Sequence, residues 1–167
     1  NMAQVLFISR TDLVKNSIID GNTDTDLFIN QIKVAQEIHI ESYLGSKLYD
    51  KISADIIAGT LAGDYLTLVN RYIQPMLIHF ATMEYLPYAA YSIKSGGIYK
   101  HTSENAETVN KEEVDYLVGK EKERAEHYTR RFIDYMCDNS TKFPEYTSNT
   151  GSDVDPLKTS NNTTWLL

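Results

Sequence analysis

A single cysteine, Cys137, gives this chain neither an intramolecular disulfide framework nor a cysteine-based zinc cluster. A lone thiol fits a reducing compartment. Basic residues are scarce too: Lys and Arg number 16 against 23 Asp and Glu, for a formal net charge of -7. Nonspecific duplex binding needs clustered cations to neutralise phosphates, so a nucleic-acid grip is not expected. No apolar run reaches the roughly 18–20 residues that span a bilayer. The nearest, 73–91, is interrupted by Gln74, Pro75, His79, Glu84 and Pro87. The first residues show no basic segment leading into an apolar core, so no secretory leader is expected, and the sequons at Asn139, Asn161 and Asn162 are read as chance.

Catalytic signatures are equally thin. There is no Gly-x-Ser-x-Gly elbow, no phosphate loop and no Gly-x-Gly-x-x-Gly. His39-Ile40-Glu41 has the His-x-Glu of nucleobase deaminases but no Pro-Cys-x-x-Cys to go with it. The four histidines, His39, His79, His101 and His127, include no pair four residues apart, the spacing a helical zinc site needs. His79 sits in an apolar stretch and is read as a hydrogen-bonded core or interface histidine, with Glu84 on another face. His127 and Glu123 are read as a solvated pair. Glu104, Glu107, Glu112, Glu113 and Asp115 lack calcium-loop spacing and read as acids gathered at a helix start. No catalytic residue, metal ligand or cofactor is expected.

What is present is helical period and tyrosine. The 167 residues are 42% hydrophobic, enough for one domain with a real core, and the 12 tyrosines suit half-buried packing positions. A short helix is expected from Asp12 to about Ile18, capped by Ser9 or Thr11, then a turn at Asp20-Gly21-Asn22. A longer helix follows to Tyr43, with Phe28, Ile32, Ala35, Ile38 and Tyr43 on one face and Gly45 past its end. Ser46 is expected to cap a third helix with the stripe Leu48, Ile52, Ile56 and Ile57. Residues 64–92 are apolar on most sides and belong at the centre, with a kink or break at Pro75 and a bend at Pro87. Ser95-Gly96-Gly97 stops that helix, and Ile98-Tyr99-Lys100 has strand character. Asn110 or Thr108 caps a last long helix, Lys111 to about Asp138.

This pattern defines an all-α protein, an antiparallel bundle of about four to five helices. Its body is 1–143, with a projecting loop or hairpin at about 93–110 and an extended polar arm at 144–167. The arm is rich in Ser, Thr, Asn, Asp and Gly and ends in Trp165-Leu166-Leu167, an apolar tip on a tether that cannot form a core alone. The candidate protein-interface residues are Ile98, Tyr99 and Lys100 on the hairpin, and Tyr146, Val154, Leu157, Trp165, Leu166 and Leu167 on the arm.

Several short motifs in order resemble the head–tail connector (adaptor) family of tailed bacteriophages, in the version found in phages of Bacteroidetes. They are Tyr43-Leu44-Gly45 with Lys47-Leu48-Tyr49, Glu84-Tyr85-Leu86-Pro87, Ser95-Gly96-Gly97-Ile98-Tyr99, Ser103-Glu104-Asn105, Glu112-Glu113-Val114-Asp115-Tyr116-Leu117 and Arg131-Phe132-Ile133-Asp134-Tyr135. The resemblance implies a non-catalytic virion protein at the head–tail junction, made in the bacterial host cytoplasm. It implies identical subunits in a ring, typically of about twelve, since head-to-tail interfaces close into rings. It also implies a portal protein above, a downstream tail or second adaptor protein below, and DNA passing through the channel without specific binding. No membrane is involved. The long Asn/Thr-rich arm departs from shorter relatives. The residues alone also allow a cytosolic helical interaction module, inhibitor-like or antitoxin-like, docking through its arm, or a small helical enzyme using the acidic stretch with a metal.

Overall fold

The computed structural model describes residues 4–17, 25–89, 91–94, 97–100 and 110–148. Helix α1 (Arg10–Asn16) is capped by Ser9, whose hydroxyl accepts from the Asp12 amide. Helix α2 (Thr25–Ala35), a π-helical turn (Gln36–Ile40) and α3 (Glu41–Leu44) run on without leaving helical backbone. The Asp20-Gly21-Asn22 turn lies outside the described residues. Helix α4 (Ser46–Ala58) follows, then α5 (Gly63–Leu68), a second π turn (Val69–Ile73) and α6 (Gln74–Ala89). Strands β1 (Tyr91–Lys94) and β2 (Gly97–Lys100) pair antiparallel, Ile93 opposite Ile98 and Ser92 opposite Tyr99. The long α7 (Lys111–Asp138), a 3-10 turn (Ser140–Lys142) and the single-turn α8 (Pro144–Thr147) complete the order.

Among the described residues this is an all-α bundle with one two-stranded hairpin inserted between α6 and α7. Helix α6 is its axis, lying along α7 on one side and α2 on the other. Met76, Leu77, Ile78, Phe80, Ala81 and Tyr85 are buried on different sides of it, as its lack of a polar face requires. They meet Phe28, Ile32 and Ala35 of α2, Leu48 and Ile52 of α4, and Ala125, Phe132 and Met136 of α7.

The two π turns account for the main departures from simple periodicity. A π turn inserts one residue and rotates everything after it by about a residue's angle. So Ile40 and Leu44 are buried, whereas Ile38, expected on the core face, is 56% exposed and Tyr43 is only half-buried. In α4 the stripe ends at Ile56, and Ile57 is 59% exposed. Pro75 does not break its helix. Its ring crowds the preceding turn and it has no N–H, and the widened π turn before it takes up the mismatch, with the Gln74 amide reaching back to the Val69 carbonyl. Pro87 stays within the last turn of α6. The helix expected to reach Ser92 ends at Ala89, and the chain turns into β1.

Gly45, not Ser46, is the residue preceding α4, and no side chain caps that helix. It is buried at φ 75 and ψ 157, a conformation open almost only to glycine. Gly45→Ala is expected to cost about 1–3 kcal/mol, read from urea unfolding. Gly59 ends α4 at φ 69, and the Thr60 amide reaches the Asp55 carbonyl to close the turn.

Candidate functional site

The polar chemistry of the core lies on the two flanks of α6. His79 projects toward α7, where its Nδ1 is 2.6 Å from Glu121 Oε2. That carboxylate is only 4% exposed, and its second oxygen accepts from Arg124 Nη1 at 3.2 Å. The His79 ring lies parallel to Tyr128 at 5.3 Å. On the opposite flank His39, from the first π turn, is 3.0 Å from Glu84 and stacks on Phe80 at 4.1 Å. The residue one removed from His79 thus carries the other histidine on its face. These two His–Glu contacts pin α6 to the helices on either side.

A third polar anchor is Gln36, fully buried. Its Oε1 accepts from the Phe7 amide at 2.8 Å and its Nε2 donates to the Val5 carbonyl at 2.7 Å. It fastens the extended N-terminal segment to the first π turn, and no buried side-chain polar atom among the described residues lacks a partner.

Above the His79–Glu121 pair opens a shallow depression of about 390 Å³ lined by His79, Glu123, Arg124, His127 and Tyr128. It holds two imidazoles, a carboxylate, a guanidinium and a phenol. Among the described residues no three His, Cys, Asp or Glu side chains converge as metal ligands. Glu123 pairs with Lys120 at 3.1 Å rather than with His127, whose ring meets Tyr128 edge-on.

The expected interface residues divide three ways. Ile98, Tyr99 and Lys100 form β2, so the strand reading holds for the backbone. Val154, Leu157, Trp165, Leu166 and Leu167 lie outside the described residues. Tyr146 is not a free arm residue: it is half-buried on α8, its ring set edge-on to Phe132. The packed body accordingly runs past Phe143 to Ser148. Phe143 is itself fully buried between Tyr65 and Tyr135, Glu145 accepts from the Tyr65 hydroxyl at 2.6 Å, and Lys47 Nζ donates to the Ser148 carbonyl at 2.7 Å. Burial, with Glu145 close by, pushes the Tyr65 phenol up to about 12.

Ending the chain after Ser148 is therefore expected to leave cooperative unfolding unchanged. Ending it after Pro144 strips Tyr146 and Glu145 and is expected to cost roughly 2–4 kcal/mol. Thermal melts of the two truncations check this. With Tyr65 neutral in the fold up to about 12, the stability from its raised value is complete below pH 10 and is lost as pH climbs through about 12.

Glu121 and Gln36 are the polar residues that periodicity alone does not flag. The available signal was a carboxylate in the middle of α7's apolar arc, four residues before Ala125 and eleven before Phe132, on a chain whose central helix offers one histidine.

The bundle defines an all-α protein with an inserted hairpin, a class that carries no particular activity with it. Within it, residues 40–156 match the model of a family of unknown function (DUF6712), and the chain belongs to that family. No curated protein and no solved structure matches.

Proposed function

We propose that the protein is a structural virion component, a head–tail connector of a tailed phage that forms a ring beneath the portal and extends the DNA channel. The observation that carries this reading is the order of elements: a helical body, a hairpin inserted between the axial helix and the last long helix, and a polar C-terminal stretch beyond α8. A closed ring needs two different complementary surfaces on every subunit. A rigid body carrying a separate hairpin and tail has the parts to supply them. The His79–Glu121 pair beneath the depression ties α6 to α7, an anchoring role in keeping with a structural subunit. A net charge of -7 also suits a channel wall along which duplex DNA slides without being held.

The partners under this reading are identical subunits, the portal, and a downstream tail or second adaptor protein. Incubating the purified protein with the portal protein encoded beside it, and imaging the particles, tests the proposal. A ring of added density on the portal is the expected result. A one-to-one complex with some other protein, or a stoichiometric metal in protein prepared without chelator, would overturn it.

A further inference from the structure

The hairpin and the stretch beyond α8 are complementary in kind. Strands β1 and β2 form a sheet of two, with no further strand beside either outer edge among the described residues. The register seats Ile93 opposite Ile98 and Tyr91 two positions along, so three apolar residues fall on one face of the ribbon. A two-stranded ribbon is marginal in water and gains independent stability from a third strand. Neither strand contains proline, so every residue keeps an amide to donate. Strand β1 abuts the end of α6, which leaves β2 as the open edge.

Beyond Ser148 the chain has one run suited to that edge. Residues 149–162 are broken repeatedly by Asn, Asp, Gly and Pro, the residues that strands avoid, whereas Thr163-Thr164-Trp165-Leu166-Leu167 contains none of them. Five residues match a four-residue strand, and Trp165 and Leu167, two positions apart, extend the apolar face of the ribbon.

The tether decides whose hairpin is reached. Tyr146 packs on Phe132, so the stretch 149–162 sets out from that level of α7. Helices α6 and α7 run antiparallel, His79 meeting Glu121 and Tyr72 meeting Tyr135. The hairpin springs from the other end, where α6 finishes and α7 begins. From Phe132 back to Lys111 is about 31 Å of helix, at roughly 1.5 Å per residue. A coiled tether of the length of 149–162 spans about 20 Å on average. Folding back onto its own hairpin therefore holds the tether stretched, while a neighbouring copy can present its hairpin at the tether's natural length.

We infer that Thr163–Leu167 of one copy adds to the open edge of β2 in the next, making a three-stranded sheet across the contact. Run and hairpin are unlike surfaces, so the contact is heterologous and passes from copy to copy. It deepens the ring reading and rests on it only for closure.

Trp165 is the single tryptophan of the chain, so its emission reports this docking directly. In the full chain without portal, emission is expected to move to shorter wavelength as concentration rises, with sedimentation increasing in step. Thr164→Pro strips an amide from the added strand, and Ile98→Pro strips one from β2. Each is expected to weaken the association at least about tenfold. Circular dichroism should show both variants as helical as the parent, since neither position lies in the bundle. Mixed one to one, the two variants recover the shift in pairs that grow no further, because an intact run meets an intact hairpin only once. A shift independent of concentration would put the run on its own hairpin, and solvent-exposed emission at every concentration would leave the edge empty. Either result overturns the strand exchange, as does a shift that survives Ile98→Pro. Association in solution with no ring on the portal would end the ring reading and leave the exchange standing. Rings of Thr164→Pro at parental levels would do the reverse.

Discussion

Phe80→Ala is expected to lower the unfolding free energy by about 3–5 kcal/mol, the cost of emptying a buried aromatic site in the middle of a core. Phe80 is buried on the axial helix, with the His39 ring stacked on it at 4.1 Å and Tyr43 beyond at 6.3 Å. Removing the ring deletes its own burial and the surface against which His39 is held toward Glu84. The neighbours cannot collapse into the gap easily, because they sit on the first π turn and α3, whose Ile40 and Leu44 are fixed in the core. Phe80→Leu keeps most of the volume and should cost well under half as much. Urea unfolding monitored by circular dichroism reads both. A nearly neutral alanine variant would mean that α6 is not the axis of the bundle.

Features set by a few adjacent residues were legible in the sequence; those set by side chains meeting from distant segments were not. The long α7 starts and stops where its residues say it should, because Asn110 and Glu113 form a capping box whose partners are three positions apart. The chain's turn into a hairpin after α6, and the helical packing of most tyrosines, likewise follow from local composition. Tyr72 stacks on Tyr135 at 4.0 Å and Tyr85 meets Phe28 edge-on, while Tyr88 and Tyr116 stay exposed. The misplaced Ile38 has a different origin. A π turn is one extra residue with no strong residue signature, and the phase of the apolar stripe slips there without notice. The boundary set after Phe143 fails for a related reason: Pro144 and the polar residues after it look like the start of a tail, yet Tyr146 finds Phe132 in space.

The His79–Glu121 pair shows the same limit in its energetics and sets the second large effect. The two residues are 42 positions apart, and each alone looks ordinary. Together they put a carboxylate at 4% exposure against an imidazole and one guanidinium. Removing the histidine leaves that carboxylate buried with Arg124 alone, and breaking a buried pair on one side typically costs about 3–5 kcal/mol. His79→Leu is therefore expected near the lower end of that range, Arg124 offsetting part of the loss. Glu121→Leu should cost less, because an imidazole left without that partner still borders the open depression, where water can satisfy its ring nitrogen. Combining the two changes places leucine against leucine at the α6–α7 contact and should recover much of the loss, a coupling of about 2 kcal/mol in the double-mutant cycle. Urea unfolding of the four proteins at one pH measures it. Equal costs for the two single changes, simply additive in the double, would mean that Glu121 is solvated and that the α6–α7 seam is held by its apolar residues alone.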